Sequence, residues 1–216
     1  MSSPGLQPVA GDPKHVFRFV ARQPILNREQ QVFAYELLFR DGIENFLRAT
    51  DAEAAARSTL DSTLVMGFDV LCNGHRAFIN CTRDLLLKEG ITLLPAEQTV
   101  VEVLETVAAD DLVIAACERL RATGYLVALD DLVTNDPRAS MAGSVDFIKV
   151  DLERTTAGER SELVKRYGSP RCRMLAEKVE TREQFEKSLK DGLIISRDIF
   201  SAGRKSSRRA RFPPTR

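Results

Sequence analysis

Residues 125–131 read YLVALDD, an unbroken apolar run that ends on two adjacent aspartates. Such a run leaves no polar face, which fits a strand covered on both sides rather than one turned to water. Comparable runs stand at 16–22 (VFRFVAR), 32–39 (VFAYELLF), 76–81 (RAFINC), 99–105 (TVVEVLE), 146–151 (DFIKVD) and 172–179 (CRMLAEKV), with an eighth candidate at 193–196 (LIIS). Segments of helical spacing lie between them. In 51–72, Leu60, Leu64, Phe68 and Leu71 share one helical face, with Asp51 available as cap. A second helix starts at Asp110 or Asp111, runs through Leu112, Ala116 and Leu120, and stops at Gly124. A third opens on a capping box, Thr181 with Gln184, places Phe185 and Leu189 four apart, and stops at Gly192.

Strand and helix alternating this often imply an α/β fold with a largely parallel sheet. Eight strands predict a (β/α)8 barrel, over 16–200, between a flexible N-terminus (1–15) and a basic, disordered tail (201–216). Barrels of this kind usually take about 250 residues. At 216 residues the chain is short, and the shortage falls at its C-terminal end, so the eighth strand and the closing helix are expected to be altered or incomplete.

The totals narrow the class. With 44% hydrophobic residues the chain can bury a sizeable core. Cys72, Cys81, Cys117 and Cys172 form no CxxC pair and read as buried thiols rather than zinc ligands or a disulfide framework. No run has the length of a signal peptide core or a membrane span, so a cytoplasmic protein with no membrane partner is expected. Net charge is zero, yet 204–216 (RKSSRRARFPPTR) is wholly basic among its charged residues, leaving the rest acidic.

Charged or amide residues interrupt nearly every apolar strand: Glu36, Asn80, Glu102 with Glu105, Asp130 with Asp131, Lys149 with Asp151, and Glu177 with Glu180. One such residue is ordinarily a turn or cap. In a barrel, however, the C-terminal strand ends converge on a single face, where active sites are built. Two like charges ~4 Å apart cost about 4 kcal/mol at an effective dielectric near 20, so converging carboxylates call for a cation or a proton. With only His15 and His75 as histidines, an oxygen site suits Mg²⁺ or Mn²⁺ better than zinc.

Taken together, these residues resemble the EAL domain, a TIM-barrel phosphodiesterase that hydrolyses cyclic di-GMP. Glu36, Leu38 and Arg40 in YELLFR match its ExLxR signature. FIN ending at Asn80, EVLE (102–105), LDD ending at Asp131, FIKVD with Lys149, and AEKVET with Glu177 and Glu180 follow in the family's order, over about residues 16–192. RQPILNREQQVFAYELLFRDG, LDDLV and AEKVET look closest to the subfamily in which an EAL domain precedes an HDOD domain.

The resemblance implies roles. Glu36, Asn80, Glu102 and Asp130 would ligate one metal, Mg²⁺ or Mn²⁺, with Asp131 reaching a second. Glu177 would be the general base and Lys149 would position water or offset phosphate charge. Arg40 would hold a phosphate, with Glu105 and Glu180 in support. Cyclic di-GMP is the implied ligand and a homodimer the implied assembly, with no specific nucleic-acid partner. A non-catalytic nucleotide-binding or protein-interaction module stays open beside the enzyme. Two aspartates in succession cannot both point inward along a regular strand, so a curl is expected where the strand ends.

Two departures bear on catalysis. The active family carries a Phe-Gly-Thr-Gly-like loop after the paired aspartates, where this chain has Leu132, Val133, Thr134 and Asn135. After Gly192 the family has an aromatic strand with Gln-Gly, and here the Gln is missing. One inserted nucleotide near codon 193 of a back-translated LIISRDIFSAGRKS yields FDYFQGYFFSRPEV, the strand the family would place there. A frameshifted, truncated C-terminus is therefore expected; gene codons that cannot be reframed this way overturn it.

Overall fold

The computed structural model describes residues 18–41, 52–193 and 195–197. The expected tail, the N-terminal residues 1–15 and the cap assigned to Asp51 lie outside them.

Five residues decide how the barrel begins. Asn27 accepts through Oδ1 from the backbone N–H groups of Glu29 and Gln31, and Gln30 takes a left-handed φ of 60°. This tight side-chain turn folds β1 (Arg18–Leu26) back on β2 (Val32–Asp41) as an antiparallel pair, because a parallel pair needs a crossover of a dozen or more residues. The pairing sets Gln23 opposite Glu36 and Ile25 opposite Ala34.

From β2 the sheet runs parallel through β3 (Arg76–Cys81), β4 (Thr99–Val103), β5 (Leu126–Leu129), β6 (Phe147–Asp151), β7 (Arg173–Glu177) and β8 (Ile195–Arg197), and β8 meets β1 antiparallel. The sheet is a closed eight-stranded barrel. It differs from the expected, largely parallel barrel in the reversed β1. Closure at β8 is thin: Ile195 and Ser196 pair with Leu175 and Ala176, and Ser196 and Arg197 with Leu26 and Ile25. The eighth strand, expected to be altered or incomplete, is this three-residue one, while the closing helix would fall outside the described residues.

The helices refine the spacing argument. The single helix expected over 51–72 is two, α1 (Ala52–Met66) and α2 (Phe68–Cys72), split where Gly67 takes a φ of 80°. Leu60, Phe68 and Leu71 are buried as expected, but Leu64 is 45% exposed. The buried stripe of α1 runs through Ala56, Thr59, Leu60 and Thr63, which turns Leu64 outward.

After α3 (Arg83–Leu87), α4 (Asp111–Ala122) has Asp110 as its N-cap and buries Val113, Ala116, Cys117 and Leu120. Leu112, assigned to that face, is exposed instead. The helix α5 (Ala157–Tyr167) has a weak apolar stripe and starts on a Thr156–Glu159 capping box. The Thr181–Gln184 box opens α6 (Arg182–Lys190), with Phe185 buried, as expected. All four cysteines are buried free thiols. Among the described residues no helix is long and apolar enough to cross a membrane.

Two apolar layers result. The outer faces of the strands pack on the helices through residues such as Ile79, Val101, Leu129, Ile148 and Met174. The inner faces contribute a small closed cluster of Ile25, Ala34, Phe78, Val100, Ala128, Phe147 and Leu175.

Candidate metal centre

That inner cluster is the floor on which the polar residues stand. Side chains on one face of a strand repeat every two residues. Two residues beyond Ala34, Phe78, Val100, Ala128, Phe147 and Leu175 come Glu36, Asn80, Glu102, Asp130, Lys149 and Glu177. The apolar-to-polar change recurs on six adjacent strands, staggered as tilted barrel strands are: Asn80 pairs with Glu102, whereas Glu36 pairs with Phe78, Glu102 with Ala128 and Lys149 with Leu175. On the reversed β1, Gln23 stands opposite Glu36, two residues before Ile25.

Lys149 occupies the centre and is 1% exposed. Its Nζ donates to Asp130 Oδ1 at 2.8 Å, to Glu36 Oε2 at 3.4 Å and to Glu102 Oε1, and forms an ion pair with Glu177 Oε1 at 2.8 Å. Burial disfavours the ammonium, but Glu102, Glu36, Asp130 and Glu177 outweigh it and hold the Lys149 pKa well above the ordinary lysine range. Glu102 moves the other way: full burial and the neighbouring Glu36 charge push its carboxyl well above the usual carboxylate range, against the pull of Lys149.

The twin aspartates follow the expected curl. β5 stops at Leu129, and Asp131 takes a left-handed φ of 47°. Both side chains thereby reach the cluster, where Asp130, Asp131 and Glu177 each offer an oxygen within 4.8 Å of the others. Burial, then the charges of Asp130 and Glu177 and a hydrogen bond with Glu177, raise the Asp131 carboxyl to about 6. Arg154 donates to Asp131 Oδ2 at 2.9 Å from the solvent side.

Five carboxylates, Glu36, Glu102, Asp130, Asp131 and Glu177, thus share the cations of Lys149 and Arg154. Three buried oxygens of this group, Asn80 Oδ1, Glu102 Oε2 and Asp131 Oδ1, have no hydrogen-bond partner among the described residues. An excess of negative charge and orphaned oxygen acceptors, with no sulfur or imidazole among them, fit a hard divalent cation.

The remaining sequence-predicted residues divide. Glu105 is exposed and lines an open cavity of about 370 Å³ with Val107, Asp131, Pro137, Arg138 and Arg154. Glu180 is exposed at the start of α6, its backbone N–H donating to Gln184. Neither belongs to the buried group. The side chain of Arg40 lies outside the described residues. Asp151, one step further along β6, is buried and accepts from Lys178 and from the backbone of Glu153. Gln23 and Arg154 were missed. The period of two from Ile25 would have pointed to Gln23 once β1 was known to be reversed, whereas nothing local marks Arg154.

The departing loop is held by its own contacts. Leu132 is fully buried and its N–H donates to the carbonyl of Lys149 at 3.0 Å. Asn135 holds a φ of 63°, a left-handed conformation that asparagine tolerates better than most residues.

No protein-family model matches the chain. Among curated proteins it is 36% identical over 188 residues to the uncharacterized protein YuxH of Bacillus subtilis strain 168, covering 84% of this chain and 46% of that protein. It is also 36% identical over 187 residues to the cyclic di-GMP phosphodiesterase CdgJ of Vibrio cholerae serotype O1, covering 84% of this chain and 43% of CdgJ. The chain therefore spans less than half the length of these relatives. Among solved structures, an EAL domain protein from Listeria monocytogenes EGD-e superposes with a TM-score of 0.67 at 16% identity, over 84% of this chain and 85% of that one. Klebsiella pneumoniae BlrP1, in a manganese and cyclic di-GMP complex, gives 0.67 at 22% identity over 89% and 56%.

Proposed function

We propose, on the premise that the chain is an EAL-type barrel, that its buried carboxylate group holds Mg²⁺ or Mn²⁺ and that the protein binds cyclic di-GMP and hydrolyses it to the linear dinucleotide. The observation that carries this reading is the set of orphaned oxygens of Asn80, Glu102 and Asp131 within an excess of carboxylates. The similarity to CdgJ and to the barrel of a manganese and cyclic di-GMP complex supports it.

In this reading Glu36, Asn80, Glu102 and Asp130 hold one cation and Asp131 reaches a second. When bound, such cations lower the pKa of water and draw charge from phosphoryl oxygens. Glu177 takes a proton from the attacking water, whose oxygen bonds to phosphorus as the bond to a ribose oxygen breaks, and the released ribose oxygen takes up a proton from solvent water to become the hydroxyl of the linear dinucleotide. Lys149 offsets charge that gathers on the phosphoryl group. Arg40 would engage a phosphate through its guanidinium fork.

Lys149 also favours a second reading, binding without hydrolysis, since its ammonium sits on Glu36, Glu102 and Asp130, the groups that would hold the first cation. One experiment separates the two: cyclic di-GMP is incubated with the protein and Mn²⁺ or Mg²⁺, binding is followed by calorimetry and product by chromatography. Turnover that disappears in Glu36→Ala is expected. Binding with no product would leave the binding module standing, and the absence of both would remove each reading.

A further inference from the structure

Arg138 stands outside the metal group and is 5% exposed. Its guanidinium is held on one side by Asp136, through Nε to Oδ1 at 3.0 Å and NH2 to Oδ2 at 2.7 Å. On the other side NH1 donates to the backbone carbonyl of Asp130 at 2.9 Å, and NH2 to that of Asp131 at 3.2 Å. One planar fork thus ties together the two residues whose side chains turn into the cluster, one of them in a left-handed backbone conformation. Asp136 is itself fixed, its N–H donating to Val133 and its carboxylate accepting from the backbone N–H of Arg138.

We propose that Arg138, anchored by Asp136, is a positioning residue for the cation pair: it holds the carbonyls of Asp130 and Asp131 outward so that both carboxylates face the site. This rests on the reading that those aspartates bind metal. The geometry distinguishes it from a plain ion pair. A buried charge pair needs only opposite charges, whereas fixing two carbonyls and a carboxylate at once needs the several coplanar donors of arginine. The clamp also accounts for how this chain keeps its paired aspartates in place with Leu132, Val133 and Asn135 in the loop that follows them.

Arg138→Lys tests the distinction, since lysine keeps the charge opposite Asp136 but not the fork. Mn²⁺ affinity is read from the loss of the free-ion electron paramagnetic resonance signal, and amide hydrogen exchange at 130–136 is read on the metal-free protein. Circular dichroism checks that the barrel is intact. The expected result is a folded Arg138→Lys protein with at least tenfold weaker Mn²⁺ binding and faster exchange in that segment. Wild-type affinity in Arg138→Lys, with binding lost in Asp131→Ala, overturns the positioning role and leaves the metal site standing. No Mn²⁺ binding by the unaltered protein overturns the metal reading, and this inference with it.

Discussion

Lys149 lies buried among four carboxylates, so its charge decides how the metal-free protein tolerates them. Removing one partner of a buried ion group strands the others, typically at a cost of 3–5 kcal/mol. Lys149→Met is expected to lose about that much stability in urea unfolding with chelator present. Mn²⁺ is then expected to restore more stability to this variant than it adds to the wild type, because the cation takes over the charge that lysine supplied. Equal stability with and without the lysine would mean that the carboxylates carry protons instead. The sequence exposed this part of the site well, since a charged or amide residue within an apolar strand can be read without knowing its neighbours. Arg138 and Arg154 escaped for the converse reason: each lies in a polar segment, and only the fold brings it to the aspartates.

At the scale of elements, ends were easier to read than faces. The T-x-x-Q and T-x-x-E boxes start α6 and α5 with both reciprocal hydrogen bonds formed, and such caps are local chemistry. Thr181→Ala is accordingly expected to cost about 1 kcal/mol. In a chain of this size that is roughly a 2–4 °C fall in melting temperature, measurable by differential scanning calorimetry. No change would show that α6 is held by the packing of Phe185 alone. Faces depend on where the barrel lies. Leu64 and Leu112 have apolar neighbours at helical spacing, yet both point outward because the buried stripe is displaced by a residue. The reversed β1 was hidden by its length: ending the strand at 22 leaves nine residues before β2, while its true end at Leu26 leaves only the five of the turn.

For the molecule as a whole, the barrel places an acidic layer over a dry apolar floor of Phe78, Phe147 and their neighbours, so the fold and the charge of its site oppose one another. A ligand that binds only the folded state stabilises it by about 2.7 kcal/mol at a hundredfold excess over its Kd. For Mn²⁺ this corresponds to a rise of roughly 5–10 °C over the chelator-treated protein. Glu102→Gln should separate the two sides of this opposition. Burial and Glu36 already disfavour the Glu102 charge, and a neutral amide still offers an oxygen to Lys149. The metal-free variant is therefore expected to melt about 2–4 °C higher than the wild type, the shift that ~1 kcal/mol produces. Its gain on adding Mn²⁺ is expected to vanish, because a carboxylate ligand has gone. Thermal melts of both proteins, with chelator and with Mn²⁺, decide the matter: an equal metal-induced rise in both would place the cation away from Glu102, and a lower melting temperature for the metal-free variant would mean that the Glu102 charge is stabilised by Lys149 more than it is penalised by burial.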